Sequence, residues 1–112
     1  MADEPGASDG GARVDVIDAP ERERYEISVD GTLAGYTAYK LRPGLIAFIH
    51  TEIDERFQGR GLADRLIAHA LADAGRRELQ VLPFCPFVKA FIERHPESVP
   101  LVPDQLRARF GL

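Results

Sequence analysis

The chain has one cysteine, Cys85, and no tryptophan. A lone thiol excludes an intramolecular disulfide and every cysteine-rich zinc site. Three histidines, at 50, 69 and 95, include no pair at metal-ligand spacing, so no metal is expected. No uninterrupted apolar run approaches the roughly 20 residues that span a bilayer, and no membrane partner is expected. Met1 to Ala12 is acidic and glycine-rich without an apolar centre, which reads as a flexible lead-in over 1–12 rather than a signal peptide or anchor. A cytoplasmic location is the resulting expectation. Strong basic charge is also lacking. Residues 1–30 carry nine acids against three arginines, a net of −6, and residues 31–112 carry nine acids against eleven bases, a net of +2. Non-specific nucleic-acid binding needs a strong basic patch, so no nucleic-acid partner is expected. The mildly basic remainder still tolerates a phosphate-bearing ligand.

What is present is an ordinary globular composition: 112 residues, 45% hydrophobic and 29% charged. That is enough for one core and one domain, placed at 13–112. Val14, Val16 and Ile17 predict a first strand closed by Asp18-Ala19-Pro20. Arg24 to Val29 alternates, with Tyr25, Ile27 and Val29 on one face. Asp30-Gly31 is a two-residue hairpin turn. A third strand over Thr32 to Leu41 ends at Arg42-Pro43-Gly44. Leu45 to Ile49 is a near-continuous apolar run leading to Ile53, and suits a central strand covered on both faces. After a polar loop, Leu62, Leu66, Ile67, Ala70, Leu71 and Ala74 lie on one helical face, in a helix ending near Gly75. Leu79 to Leu82 predicts a short strand. Pro86 opens a second helix, with Phe87 paired to Phe91 and Val88 to Ile92, which His95-Pro96 stops. A last helical segment over 103–110 would pack Leu106 and Phe110. The order is three or four antiparallel strands, then strand, loop, helix, strand, helix.

The chemistry concentrates between strand and helix, in Asp54-Glu55-Arg56-Phe57-Gln58-Gly59-Arg60-Gly61-Leu62-Ala63. Two glycines let the backbone turn sharply, and the following helix start offers unsatisfied N–H groups to an anion. A tight turn without a ligand fits the same residues. A Walker A loop fails, because Leu62 and Ala63 stand where Lys and Ser/Thr belong. A dinucleotide fingerprint is weak, because Asp64 replaces the third glycine or alanine.

Gln58-x-x-Gly61-x-Ala63 resembles the Gln/Arg-x-x-Gly-x-Gly/Ala signature of the GNAT superfamily of acyl-CoA N-acyltransferases. His-Thr-Glu at 50–52, the Gln-Gly-Arg-Gly loop, Pro-Phe-Cys-Pro-Phe-Val at 83–88 and His-Pro-Glu at 95–97 extend the likeness to short single-domain members over about residues 25–98. The resemblance implies a minimal α/β (α+β) fold. Its sheet would be mixed and mostly antiparallel, of about five strands, with two main helices. The two N-terminal helices and last two strands of larger members would be missing. It implies a strand ending at Ile53 that diverges from one ending at Leu82, with acetyl-CoA or CoA in the gap. The pyrophosphate would lie on the amides of Gln58, Gly59, Arg60, Gly61, Leu62 and Ala63, and the pantetheine arm along Thr51 to Ile53. Arg60 is also a candidate for a CoA phosphate, or simply a solvated arginine.

The expected activity is N-acetyl transfer from the CoA thioester to an amine. An open acceptor side points to a bulky or protein-borne amine, or to a wall from another subunit, which leaves a homo-oligomer open. Many members carry a tyrosine general acid on the last helix; here Ile92 stands in that place. Cys85, at a helix start, is the substitute candidate, as general acid or as acetyl carrier. A lone cysteine is as often a small buried hydrophobe. His50 and Glu52, two apart on one strand, share a face and are candidate bases; a hydrogen-bonded sheet histidine and a solvated strand end fit equally. The rival function is a CoA-binding or interaction module without catalysis.

Overall fold

A computed structural model describes residues 11–112. The lead-in expected over 1–12 lies outside the described residues as far as residue 10, and Ala12 is half-buried against the core. Five strands follow in order: β1 (Val14–Ala19), β2 (Arg24–Val29), β3 (Thr32–Arg42), β4 (Leu45–Ile53) and β5 (Gln80–Pro83), with spatial order β1-β2-β3-β4-β5. The first four are antiparallel, and β5 joins β4 in parallel through the crossover helix α1 (Leu62–Arg76). Helix α2 (Pro86–Arg94) follows β5. This is the expected α+β architecture, with only a 3-10 turn at Pro20–Arg22 between β1 and β2.

Turn chemistry sets the meander. Asp30 and Gly31 both take positive φ, 49° and 83°, the backbone that closes a tight hairpin without splaying its strands. Gly44, at φ 72°, closes the next turn after Pro43. Pro86 starts α2, where its missing N–H costs nothing.

Both helices lie on one face of the sheet. Leu66, Ile67 and Leu71 of α1 and Val88 and Ile92 of α2 share one core with Tyr25, Ile27, Ile46 and Phe48. Among the described residues no helix covers the opposite face, so the expectation that β4 is covered on both sides is overturned: Ile49 is 43% exposed. A polar ladder occupies the open face instead. Glu26, only 7% exposed, accepts from Arg22 at 2.7 and 3.1 Å and from Arg24 at 2.8 Å. The Arg24 guanidinium covers the Tyr36 ring at 4.4 Å, and Tyr36 donates to Glu52 at 2.8 Å.

Helix α1 ends at Arg76, next to Gly75 as expected, and the left-handed residue after it is Glu78, at φ 57°. One other detail differs from the expectation. The tail forms short 3-10 turns at Pro96–Leu101, Asp104–Leu106 and Ala108–Phe110 rather than one helix, consistent with the prolines at 96, 100 and 103.

Candidate functional site

Strand β4 creates the site by outlasting its neighbour. The β4–β5 ladder ends at Phe48↔Pro83, and the Cys85 N–H then donates to the Phe48 carbonyl at 2.8 Å. From His50 to Ile53, β4 pairs with β3 while the chain after β5 turns into α2. The expected divergence therefore comes from β5 stopping at Pro83, one residue beyond the predicted end.

A bulge then decides which way the β4 side chains point. Ala38 pairs with His50 and Tyr39 with Phe48, so Ile49 is the extra residue. Ile46 and Phe48 face the helices, and after the bulge Thr51 and Ile53 do too. His50 and Glu52 pass to the open face, side by side as expected, with His50 Nε2 3.7 Å from Glu52 Oε1. Tyr36 leans toward both, and its hydrogen bond to Glu52 pushes its hydroxyl pKa up.

On the helix side, Thr51 Oγ1 lies 2.9 Å from Thr37 Oγ1 and 3.2 Å from Cys85 Sγ. Cys85 is the N-cap residue of α2 and is 1% exposed. It belongs to the buried core as well as to this hydroxyl–thiol chain.

The loop after β4 is tied back at both ends. Asp54 accepts from the Arg56 N–H at 2.9 Å and from its guanidinium at 3.0 and 3.2 Å, which holds the Asp54 carboxyl below the usual range. Gln58 Nε2 donates to the Ile53 carbonyl at 3.3 Å. Gly59 and Gly61 take φ 81° and 72°, and a Cβ on either would meet nothing within 4 Å. Gly61 is the N-cap of α1 and has no side chain to satisfy the first-turn N–H groups.

A cleft of about 400 Å³ opens there, lined among others by Thr51, Ile53, Gln58, Gly59, Gly61 and Ala63. Leu62 also lines it, but its side chain is buried in the core, so it can offer only its N–H. Arg60 lines neither this cleft nor the next; its guanidinium stands 5.3 Å from the Phe57 ring centroid. A second cleft of about 560 Å³ adjoins the first, sharing Thr51, Ile53, Gln58 and Phe87 and adding Tyr36, His50, Glu52, Asp54 and Glu55. Phe87 was expected to pair with Phe91, yet it is 57% exposed and lines both clefts, while Phe91 stacks on His95 at 4.1 Å.

A family model described as GCN5-related N-acetyl-transferase matches residues 24–101. The chain belongs to the GCN5-related N-acetyltransferase family. No curated protein matches it. As a GNAT domain, it has an acyltransferase-type function in general terms, with a CoA thioester and an amine as the reactant classes. The residues present fit a CoA group. The open glycine turn leaves room where a Cβ would project, the helix start presents N–H donors to a pyrophosphate, and apolar Ile53 and Phe87 flank the space for a pantetheine arm. Among the described residues, no helix of this GNAT domain is long and apolar enough to cross a membrane.

Proposed function

We propose that this domain, placed over residues 13–112, binds acetyl-CoA in the first cleft and acetylates a cationic amine presented from the second. The supporting observation is the meeting of the two clefts at Thr51, with the Gly59–Gly61 turn on one side and the acids Glu52, Asp54 and Glu55 on the other. Amides from Gln58 to Ala63 hold the pyrophosphate, and β4 from Thr51 to Ile53 holds the pantetheine arm. When bound, acetyl-CoA supplies a thioester carbon open to attack and a thiolate leaving group. Backbone amides near Thr51 to Ile53 polarise the carbonyl. Glu52, with His50 beside it, takes the ammonium proton that must leave before the nitrogen can attack. Cys85 Sγ supplies a proton to the departing sulfur by way of Thr51 Oγ1, 3.2 Å away, since Thr51 lines the clefts and Cys85 does not. The second proton, which the nitrogen sheds as the amide forms, returns to Cys85 through the same Thr51 hydroxyl. The burial of Sγ supports this proton role over an acetyl carrier. The acidic second cleft supports an amine on a basic chain, such as a lysine side chain of a protein.

The same burial also favours a second reading, a CoA-binding module in which Cys85 only packs. Thiol release with acetyl-CoA and a lysine-rich peptide, a polyamine or a neutral amine separates the two. Turnover is expected with the cationic acceptors. Cys85→Ala is expected to lower kcat about 100-fold while leaving CoA affinity unchanged. CoA binding without turnover on any acceptor would leave the module as the function.

A further inference from the structure

Asp64 presents a difficulty for any anion in the first cleft. It is the third residue of α1 and lines the cleft beside Gly61 and Ala63. A carboxylate there favours the empty helix, whose start carries about half a positive charge, but it repels an anion that uses the same N–H groups. Arg94, in the last turn of α2, bonds this carboxylate with both prongs, at 3.0 and 3.1 Å. Its guanidinium lies 5.9 Å from the Phe91 ring centroid, and that ring is stacked on His95. Packing on α2 therefore helps to place the arginine. Asp64 is held below the usual carboxylate range chiefly by the hydrogen bond from Arg94. It is thus charged whenever the cleft is in use, and its charge must be cancelled rather than titrated away.

We infer that Arg94 is a positioning residue for the anionic cofactor, acting through Asp64: it cancels the one carboxylate among the described residues that line the first cleft and so admits a polyphosphate. The inference rests on the CoA reading above. Both side chains are about half exposed, 54% and 51%, and an ion pair so exposed contributes little to the fold. Loss of Arg94 should therefore change binding more than stability.

The test is calorimetric titration of the full chain with CoA at low ionic strength, with a melt of each unliganded variant beside it. Arg94→Gln is expected to weaken CoA by about five- to tenfold. Asp64→Asn/Arg94→Gln is expected to return to within about twofold of wild type, with all melts close together. The Arg94→Gln defect should shrink as salt is raised. An Arg94→Gln variant that binds like wild type would overturn the inference. So would a double variant as weak as the single one, which would make Arg94 a direct ligand or a packing residue. Wild type that binds no CoA would remove the cofactor site itself, and this role with it.

Discussion

A single hydroxyl, that of Thr51, joins β3, β4 and the start of α2 through Thr37 and Cys85. Around it, glycines serve two different physical needs. Gly61 needs its positive φ and has open space, so Gly61→Ala is expected to cost about 1–2 kcal/mol of backbone strain. Gly35 needs space: a Cβ there would lie 2.5 Å from the Glu52 carbonyl oxygen and from Ile53 Cδ1, where β3 pairs with the end of β4. Gly35→Ala is expected to cost about 3 kcal/mol and to disturb both clefts. Urea unfolding of the two variants should rank them in that order, and equal losses would contradict the assignment. The Gly61 position was legible in the sequence, because a Gly-x-Gly before a helical pattern has few uses. Gly35 was not, because close approach between strands depends on register. Phe87 was missed for a related reason. Its spacing to Phe91 satisfies a helix-face pattern whether or not the pair is buried, and only the end of β5 decides that it borders a cleft.

Among the elements, β4 shows where pattern reading stops. Leu45 to Ile49 reads as one apolar run, and a bulge leaves no mark in such a run. Yet the bulge at Ile49 puts Thr51 beside Cys85 and sends His50 and Glu52 to the other face. The hairpin turns and the α1 stripe were readable, since each depends on a local residue type or a simple period. At the far end of the molecule, α1 is pinned to the sheet by polar groups that no period predicts. Tyr25 donates to Asp73, Tyr39 donates to Asp18 at 2.6 Å, and Arg77 reaches Tyr25, Asp18 and Asp73 at 3.3 to 3.5 Å. Burial drives the hydroxyl pKa of Tyr25 and Tyr39 upward, and the acceptor carboxylates add to it, so both stay neutral donors. Tyr25→Phe leaves an acceptor short of its partner and is expected to cost about 1–2 kcal/mol, or roughly 5–10 °C in Tm. A thermal melt checks this, and an unchanged Tm would mean that the pin contributes nothing.

At the scale of the whole molecule, a two-layer domain keeps one sheet face wet by filling it with charge. Glu26 is held below the usual glutamate range, chiefly by the hydrogen bond from Arg22. Asp73 is also held low: burial works against its charge, but hydrogen bonds from Tyr25 and Arg77 outweigh it. A depressed carboxylate binds fewer protons folded than unfolded, so its stabilisation is present above the unfolded pKa. Stability should thus be level near neutrality and fall as pH drops through roughly 4 and below. Denaturant midpoints from pH 7 to pH 3 would show it, and Glu26→Gln should flatten part of the fall. The central claim, however, concerns the first cleft, and a thermal melt with acetyl-CoA, against NADH as a control nucleotide, tests it most directly. At a hundredfold the dissociation constant, acetyl-CoA should stabilise the fold by about 2.7 kcal/mol. For a domain of this size that raises Tm by about 10 °C or more, while NADH should leave it unchanged. No shift at saturating acetyl-CoA would mean that Gly59 and Gly61 make only a structural turn, and the acetyltransferase account would fall with the cleft.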